Sequence, residues 1–340
     1  MNNRENFAEL KAVGSGRRIV VTGGLGFIGS NLVKALVGQG HHVDVIDRSS
    51  RTSCDHISNH IVGSLTDVDA TRAAFEGADV VFHVAANPNV SISVNEPLTD
   101  FALNAQATAV ALEAARLADV KRFVFVSSAL VYGRNPVLPL IESAVLLPLV
   151  PYAAGKIAGE NYCRVYHECY GLEAITARVF CVYGPGRNAR TSMVEVPRYL
   201  RWHLQKKPIQ LVGDPKLKTR DYIHVEDVVR GLILISENGN PGSIYNIGSG
   251  EETSMSDLIE LIGEITGRTP IIDAFPQVLD DTFRQVADTG CVSSIGFRPQ
   301  WTLRTGVTAL VDELGDDPDD PLGEVVLSSR RALSNSGKVG

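Results

Sequence analysis

The chain has 340 residues and a mass of 36.6 kDa, a length that predicts about two lobes, or one large α/β unit with an attached cap. Hydrophobic residues make up 44% and charged residues 21%, which allows a sizeable core and excludes the disordered and low-complexity classes. With 32 basic against 39 acidic residues the net charge is −7, against binding nucleic acid or anionic membrane by bulk charge but compatible with an acidic ligand held by a few arginines.

The N-terminal segment MNNRENFAELKAVGSGRR lacks the apolar core of a signal peptide. No later run reaches the ~18 apolar residues of a membrane helix, and the run 144–150 is interrupted by Pro148. A soluble, cytoplasmic protein is expected. Cys54, Cys163, Cys169, Cys181 and Cys291 are odd in number and form no CxxC pair, so they read as structural thiols, with no disulfide framework and no metal site.

From Arg17 onward, short β-branched runs alternate with helical patterns. Residues 19–22 predict a buried strand, and 26–37 a helix with Phe27, Ile28, Leu32 and Leu36 at helical spacing. Further strands are expected at 42–47, 78–85, 122–127 and 173–179, with helices near 70–76, 98–117 and 152–170. This alternation predicts a Rossmann-type, doubly wound parallel α/β sheet. After Gly184 the sequence loosens into Pro-, Gly- and Arg-rich loops, read as a smaller C-terminal α/β domain that binds substrate. Residues 222–248 combine an apolar helix pattern (Val228, Val229, Leu232, Leu234) with the strand-like SIYNIGS, and are expected to return to the first lobe. The expected division is therefore 17–185 for the dinucleotide lobe and 186–315 for the substrate lobe, with 316–340 a disordered tail.

Gly23, Gly26 and Gly29 follow the first strand and open the first helix in a GxxGxxG pattern. A turn of this kind lets a pyrophosphate approach the unpaired N–H groups of a helix N-terminus. Asp47 lies roughly 24 residues after Gly23, near the ~20 expected of an acid that grips the adenosine ribose hydroxyls. A carboxylate there favours NAD over NADP, while the neighbouring Arg48 could instead accept a 2′-phosphate. Tyr152 and Lys156 stand one helical turn apart, so a cation is expected beside the phenol to lower its proton affinity.

The segments TGGLGFIGS, His83 to Ala86, Asn104, RFVFVSSALVYG, YAAGK, RVFCVYGPG, RDYIHVED, YNIG and RQVAD occur in this order between about residues 17 and 311. Together they resemble the extended short-chain dehydrogenase/reductase family, and within it the NAD-dependent nucleotide-sugar epimerases and dehydratases, above all the UDP-sugar 4-epimerases. The resemblance implies a catalytic set of Ser128, Tyr152 and Lys156, with Ser127 in a packing or supporting role. It implies NAD held by Gly23, Gly26, Phe27, Ile28, Gly29, Asp47, Arg48, Ser64, Leu65, Ala85, Ala86, Tyr152 and Lys156. A UDP-sugar would meet Ser128, Tyr152, Cys181, Gln210 with Val212, Arg220 and Arg284, and a homodimer is implied, with the helical face 103–117 as its support.

Within that resemblance, dehydratases carry an Asp-Glu pair just after the catalytic Ser or Thr, and decarboxylases a Glu at the second position. This chain has Ala129 and Leu130, neither of which can move a proton, which leaves oxidation and re-reduction at one carbon, the 4-epimerase pattern. An NAD(P)H-dependent 4-keto-sugar reductase and a non-catalytic dinucleotide-binding protein are the alternatives. Three departures stand out: Cys181 replaces an Asn that approaches substrate, Ser64 replaces an acid near adenine and leaves Asp67, and Gly155 replaces a Ser before the Lys. The resemblance to epimerases acting on UDP-glucuronate implies that Arg187 and Arg190 meet a C6 carboxylate, with solvated loop arginines as the alternative, so glucose/galactose and glucuronate/galacturonate both remain open as the sugar pair.

Overall fold

The β-branched run after Arg17 becomes the middle of a parallel sheet, because both of its faces must be covered for so apolar a strand to be buried. A computed structural model describes residues 16–50, 57–87, 89–186, 194–275 and 284–315. The first lobe runs β1 (Arg18–Thr22), α1 (Phe27–Gly38), β2 (His42–Asp47), β3 (Asn59–Val62), α2 (Val68–Phe75) and β4 (Val80–His83). It continues through α3 (Val90–Asn95), α4 (Pro97–Phe101), a widened π-helical turn (Ala102–Gln106), α5 (Ala107–Leu117), β5 (Arg122–Ser128), a 3-10 turn (Ala129–Tyr132), α6 (Pro151–Tyr170) and β6 (Glu173–Val179). Then follow β7 (Cys181–Tyr183), α7 (Glu195–Leu204), β8 (Ile209–Val212), β9 (Thr219–Arg220), β10 (Tyr222–His224), α8 (Val225–Asn238) and β11 (Ile244–Ile247). The last elements are β12 (Thr253–Ser254), α9 (Met255–Thr266), β13 (Ile272–Phe275), α10 (Gly290–Ser294) and α11 (Leu303–Leu314).

The main sheet has seven strands in the order β11-β6-β5-β4-β1-β2-β3, all parallel. The strand order reverses between β1 and β4, which opens a crevice at their carboxyl ends, where ligands of this sheet type bind. One core packs Leu32, Leu36, Val228, Leu232 and Ile247 on one face, and a second packs Phe75, Leu112, Phe123 and Phe125 on the other. The loosely patterned C-terminal region builds its own core from Tyr199, Trp202, Leu258, Ile262, Val307 and Leu310. Residues of the segment 222–248 do lie on the main sheet, since β11 pairs with β6 from Ile244↔Thr176 to Ile247↔Val179.

Two elements differ from the sequence pattern. β3 carries no apolar run: Asn59 and Val62 are exposed, and it forms through edge pairing to β2. The expected single helix 98–117 is interrupted by the π-helical turn around Asn104, whose side chain is buried. Among the described residues no helix is long and apolar enough to cross a membrane, and no group of three His, Cys, Asp or Glu is placed to hold a metal ion.

Candidate active site

The glycine turn at the end of β1 is set by close approach. A Cβ added at Gly29 would lie 2.1 Å from the Gly23 carbonyl oxygen, and one at Gly23, where φ is +69°, would lie 2.7 Å from the Ala85 backbone. Gly26 caps α1 with no side-chain hydrogen bond, so no side chain competes for the first N–H groups of the helix. A Cβ there would approach only the Gly23 oxygen, at 3.2 Å, and Gly26 is exposed at the mouth of the crevice. These residues fit a dinucleotide pyrophosphate. Phe27 and Ile28 flank the turn half-buried, and Ala85 and Ala86 lie half-buried just beyond β4.

Asp47 terminates β2, and its carboxylate accepts the Leu25 N–H at 3.1 Å and the Ser49 N–H at 2.9 Å, which fastens the glycine turn to the second strand. Arg48 and Ser64 are exposed, whereas Leu65 is buried in the core beside β4. Asp67 has a local task as the N-cap of α2, accepting the N–H groups of Asp69 and Ala70 at 2.9 and 3.1 Å.

Ser128 ends β5, and its Oγ accepts the Leu130 N–H at 3.2 Å, starting the 3-10 turn. Pro151 at the first position of α6 fixes the entry of that helix, and Tyr152 next to it is set close enough to Ser128 for the hydroxyl to act on its phenol. One turn on, Lys156 is 2% exposed, donates its Nζ to the Val126 carbonyl at 2.8 Å and lies 5.7 Å from the centre of the Tyr152 ring. The structure therefore brings Ser128, Tyr152 and Lys156 together. It does not bear out the expected lowering of the phenol: burial pushes Tyr152 up to about 12, against a smaller opposing pull from Ser128. Burial also pulls Lys156 down to about 8, against the Glu160 and Asp100 carboxylates that favour its charge. The lysine's proton is committed to a carbonyl, and water is excluded from the phenol's surroundings.

Ser127 faces the opposite way and donates to Glu160 at 2.5 Å. Glu160 is paired twice with Arg178, at 3.0 and 2.6 Å, and Arg178 also donates to the Tyr132 hydroxyl at 2.9 Å and the Glu142 carbonyl at 2.7 Å. Ala129, just after Ser128, is buried, and the Gln285 amide donates to its carbonyl at 3.2 Å, joining the C-terminal region to the 3-10 turn.

In the C-terminal region, Cys181 opens β7 with its Sγ 3.8 Å from a carboxylate oxygen of Glu195 at the start of α7. Burial and the adjacent carboxylate push this thiol well up, which opposes a thiolate nucleophile. Glu195 is surrounded by cations: burial alone would raise it, but Arg220, Arg198 and Lys218 outweigh that and hold it at about 2. Arg220 lies 3.8 Å from Glu195 and donates to the Thr219 carbonyl at 2.8 Å. Its neighbour Asp221 is buried and accepts backbone N–H groups of Ser249, Gly250 and Ala287 at 2.7, 2.9 and 3.0 Å, so one carboxylate gathers the RDY, YNIGS and RQVAD segments. Arg284 is more than half exposed and pairs with Glu252 through two bonds of 2.6 and 2.7 Å. Gln210 lies half-buried on β8, opposite Asp273 of β13. Arg187 and Arg190 lie outside the described residues. Glu195 and Asp100 carry no signal in the sequence: a single acid in the run MVEVPRYLRW or in PLTDFALN looks like a surface residue until the fold closes over it.

Residues 19–248 match the model of the NAD dependent epimerase/dehydratase family. A UDP-glucose 4-epimerase of Mycolicibacterium smegmatis is 33% identical over 306 residues, covering 87% of this chain and 97% of that protein. Two solved structures share the fold: the UDP-glucose 4-epimerase of Thermotoga maritima with UDP-glucose (TM-score 0.82, 32% identity, 87% of this chain and 98% of that one) and the UDP-glucose 4-epimerase of Thermus thermophilus complexed with NAD (TM-score 0.80, 30% identity, 87% and 98%). With more than half of its length matched by the family model, and relatives of this identity along most of the remainder, the chain belongs to the NAD dependent epimerase/dehydratase family.

Proposed function

We propose that this protein is an NAD-dependent epimerase that inverts C4 of a UDP-sugar through a transient 4-keto sugar. The observation that carries the reading is the Tyr152 phenol set beside Ser128 with Lys156 one turn behind, next to Ala129 and Leu130, where no acid or base stands. NAD, held by the glycine turn of Gly23, Gly26 and Gly29, by Asp47 and by the Ala85 to Ala86 segment, supplies the acceptor for the C4 hydride and returns it. Residues 17–185, with 222–248, form the lobe that holds it, and residues 186–315 supply the substrate side.

In this reading Tyr152 takes the proton of the sugar 4-hydroxyl as a phenolate, which a bound nicotinamide cation together with Lys156 would have to stabilise against the burial that raises the phenol in the ligand-free protein, while Ser128 orients that oxygen. Lys156 stabilises the phenolate and keeps its own proton on the Val126 carbonyl between turnovers. After the flat keto sugar turns over, Tyr152 gives the proton back, so the pair ends each cycle as it began. Elimination of the C6 hydroxyl or loss of a carboxylate needs a further acid or base, and neither Ala129 nor Leu130 provides one. Arg220 and Arg284 are suited to the diphosphate as guanidinium forks. Cys181 and Gln210 face the sugar and the uracil. The expected compartment is the cytoplasm. The expected assembly is a homodimer through the outer faces of α4 to α6, where Leu98, Phe101, Leu117, Tyr162 and Val165 are exposed.

Incubation of the purified protein with UDP-glucose, UDP-glucuronate and UDP-N-acetylglucosamine in parallel, followed by chromatography, tests the reading. It predicts the C4 epimer of at least one substrate with no added reductant, and Tyr152→Phe at least about a hundredfold slower. Stoichiometric NADPH consumption would mean a reductase, and near-normal turnover by Tyr152→Phe would sink the assignment. For the uronate pair, Arg190→Ala should lower the kcat/KM ratio of UDP-glucuronate to UDP-glucose; an unchanged ratio removes that residue from the sugar site.

A further inference from the structure

The reaction leaves a buried carboxylate without a task. Asp100, at the end of the first turn of α4, is 1% exposed. Its Oδ1 accepts the Asn104 side-chain amide at 2.7 Å and that of Asn87 at 3.1 Å, and the Asn104 oxygen accepts the Asn87 N–H at 3.0 Å. The three residues thus brace one another where the chain leaving β4 meets the π-helical turn. The remaining oxygen, Oδ2, points at α6: a Cβ built on Gly155 would be 3.9 Å from it and 3.1 Å from the Asn104 Cβ. Gly155 immediately precedes Lys156 and lies in the same turn as Tyr152, so the carboxylate faces the Tyr152–Lys156 turn at contact distance, and it is Asn104 that a side chain at Gly155 would crowd.

A carboxylate taken out of water is costly unless opposed by donors and a cation. Two amides satisfy one oxygen, and Lys156 is the cation that favours its ionised form. The other groups acting on Lys156 are few. Glu160 and Cys163 lie on its own helix, with Glu160 already paired to Arg178. From β4 comes His83, which burial keeps uncharged near neutral pH. From β5 come the Phe125 ring, 4.9 Å away, and the Val126 carbonyl. Asp100 is the carboxylate contributed by α4.

We propose that Asp100 is a positioning residue of the Tyr152–Lys156 pair: braced by Asn87 and Asn104, its carboxylate acts across Gly155 to keep the buried Lys156 charged. The proposal rests on the reading of that pair as the proton-handling groups, and on nothing about the sugar. Loss of the negative charge destabilises the lysine cation and eases ionisation of Tyr152, which burial and Asp100 both oppose.

The test is a titration of the Lys156 ¹³Cε resonance in the full-length protein, identified by its absence in Lys156→Met, compared between wild type and Asp100→Asn. The Asn variant keeps an acceptor for both amides and removes the charge. The expected result is about a tenfold shift in the Lys156 ionisation constant toward the neutral amine, equivalent to one pKa unit. The alkaline limb of kcat/KM should move down by the same factor, with Asp100→Glu restoring most of it. If Asp100→Asn does not fold, Asp100→Ser, which also removes the charge, should move the resonance in the same direction by a comparable amount. A Lys156 titration identical in the variant and wild type overturns the proposal. A shifted resonance in a protein that converts no UDP-sugar would instead sink the epimerase reading and leave the role of Asp100 standing.

Discussion

Lys156 lies in the dinucleotide lobe and Glu195 in the C-terminal region, and burial penalises the charge on both, yet they come out differently. Lys156 has a carbonyl and two carboxylates that lie beyond salt-bridge reach, and burial wins, drawing it down to about 8. Glu195 has Arg220, Arg198 and Lys218 around one carboxylate, and the cations win, holding it at about 2. Counter-charge, more than depth, decides which buried group keeps its ionic form. The difference suits the proposed chemistry. A lysine near the edge of its charge range can follow the ionisation of Tyr152, whereas a carboxylate fixed among three cations keeps the cluster around Arg220 permanently charged.

The comparison can be broken most forcefully at the Glu160–Arg178 pair, the salt bridge behind Lys156, whose side chains are 5% and 3% exposed. Glu160→Gln leaves Arg178 uncompensated and should lower unfolding stability by about 4 kcal/mol in denaturant titration. A change below about 1 kcal/mol would mean that Tyr132 and the Glu142 carbonyl suffice for the arginine.

Next comes the pH dependence of Lys156. Its folded pKa of about 8 lies below the unfolded 10.5, so between these values the unfolded chain binds more protons and stability should rise with pH. The effect is up to about 3 kcal/mol and is read as wild type minus Lys156→Met, since Tyr152, raised to about 12, acts in the opposite direction above about pH 10. A flat difference between about pH 8 and 10.5 would contradict the burial argument.

On the other side, Glu195→Gln should destabilise the ligand-free protein by about 2 kcal/mol, less than a fully buried broken pair because its Arg220 contact is 3.8 Å. UDP should restore part of the loss, because a diphosphate replaces the missing negative charge; an equal thermal shift by UDP in both proteins would show that the cluster does not face the nucleotide. The smallest effect is expected at the exposed Arg284–Glu252 pair, where Glu252→Gln should change stability by less than about 1 kcal/mol.

Legibility of these features in the sequence follows the range of the forces involved. The glycine turn, the strands β1, β2 and β5, and the Tyr152–Lys156 spacing are local, and periodicity exposes them. β3 is not visible there, because a short edge strand with two exposed ends needs only a partner's backbone. Asp100 and Glu195 are not visible either, since what makes each unusual is the burial and the charges supplied by residues far along the chain. The proximity of Tyr152 and Lys156 is legible, but its effect on the phenol is not: spacing shows a cation nearby and says nothing of the water that burial removes.

The central claim, oxidation and re-reduction at one carbon by a retained cofactor, is tested most directly with a UDP-sugar bearing deuterium at C4, using whichever substrate the parallel incubation identifies. The account predicts that the C4 epimer keeps its deuterium, with none released to water and none passed to added NAD. Deuterium lost to solvent, or found in the free cofactor pool in step with product, would contradict it.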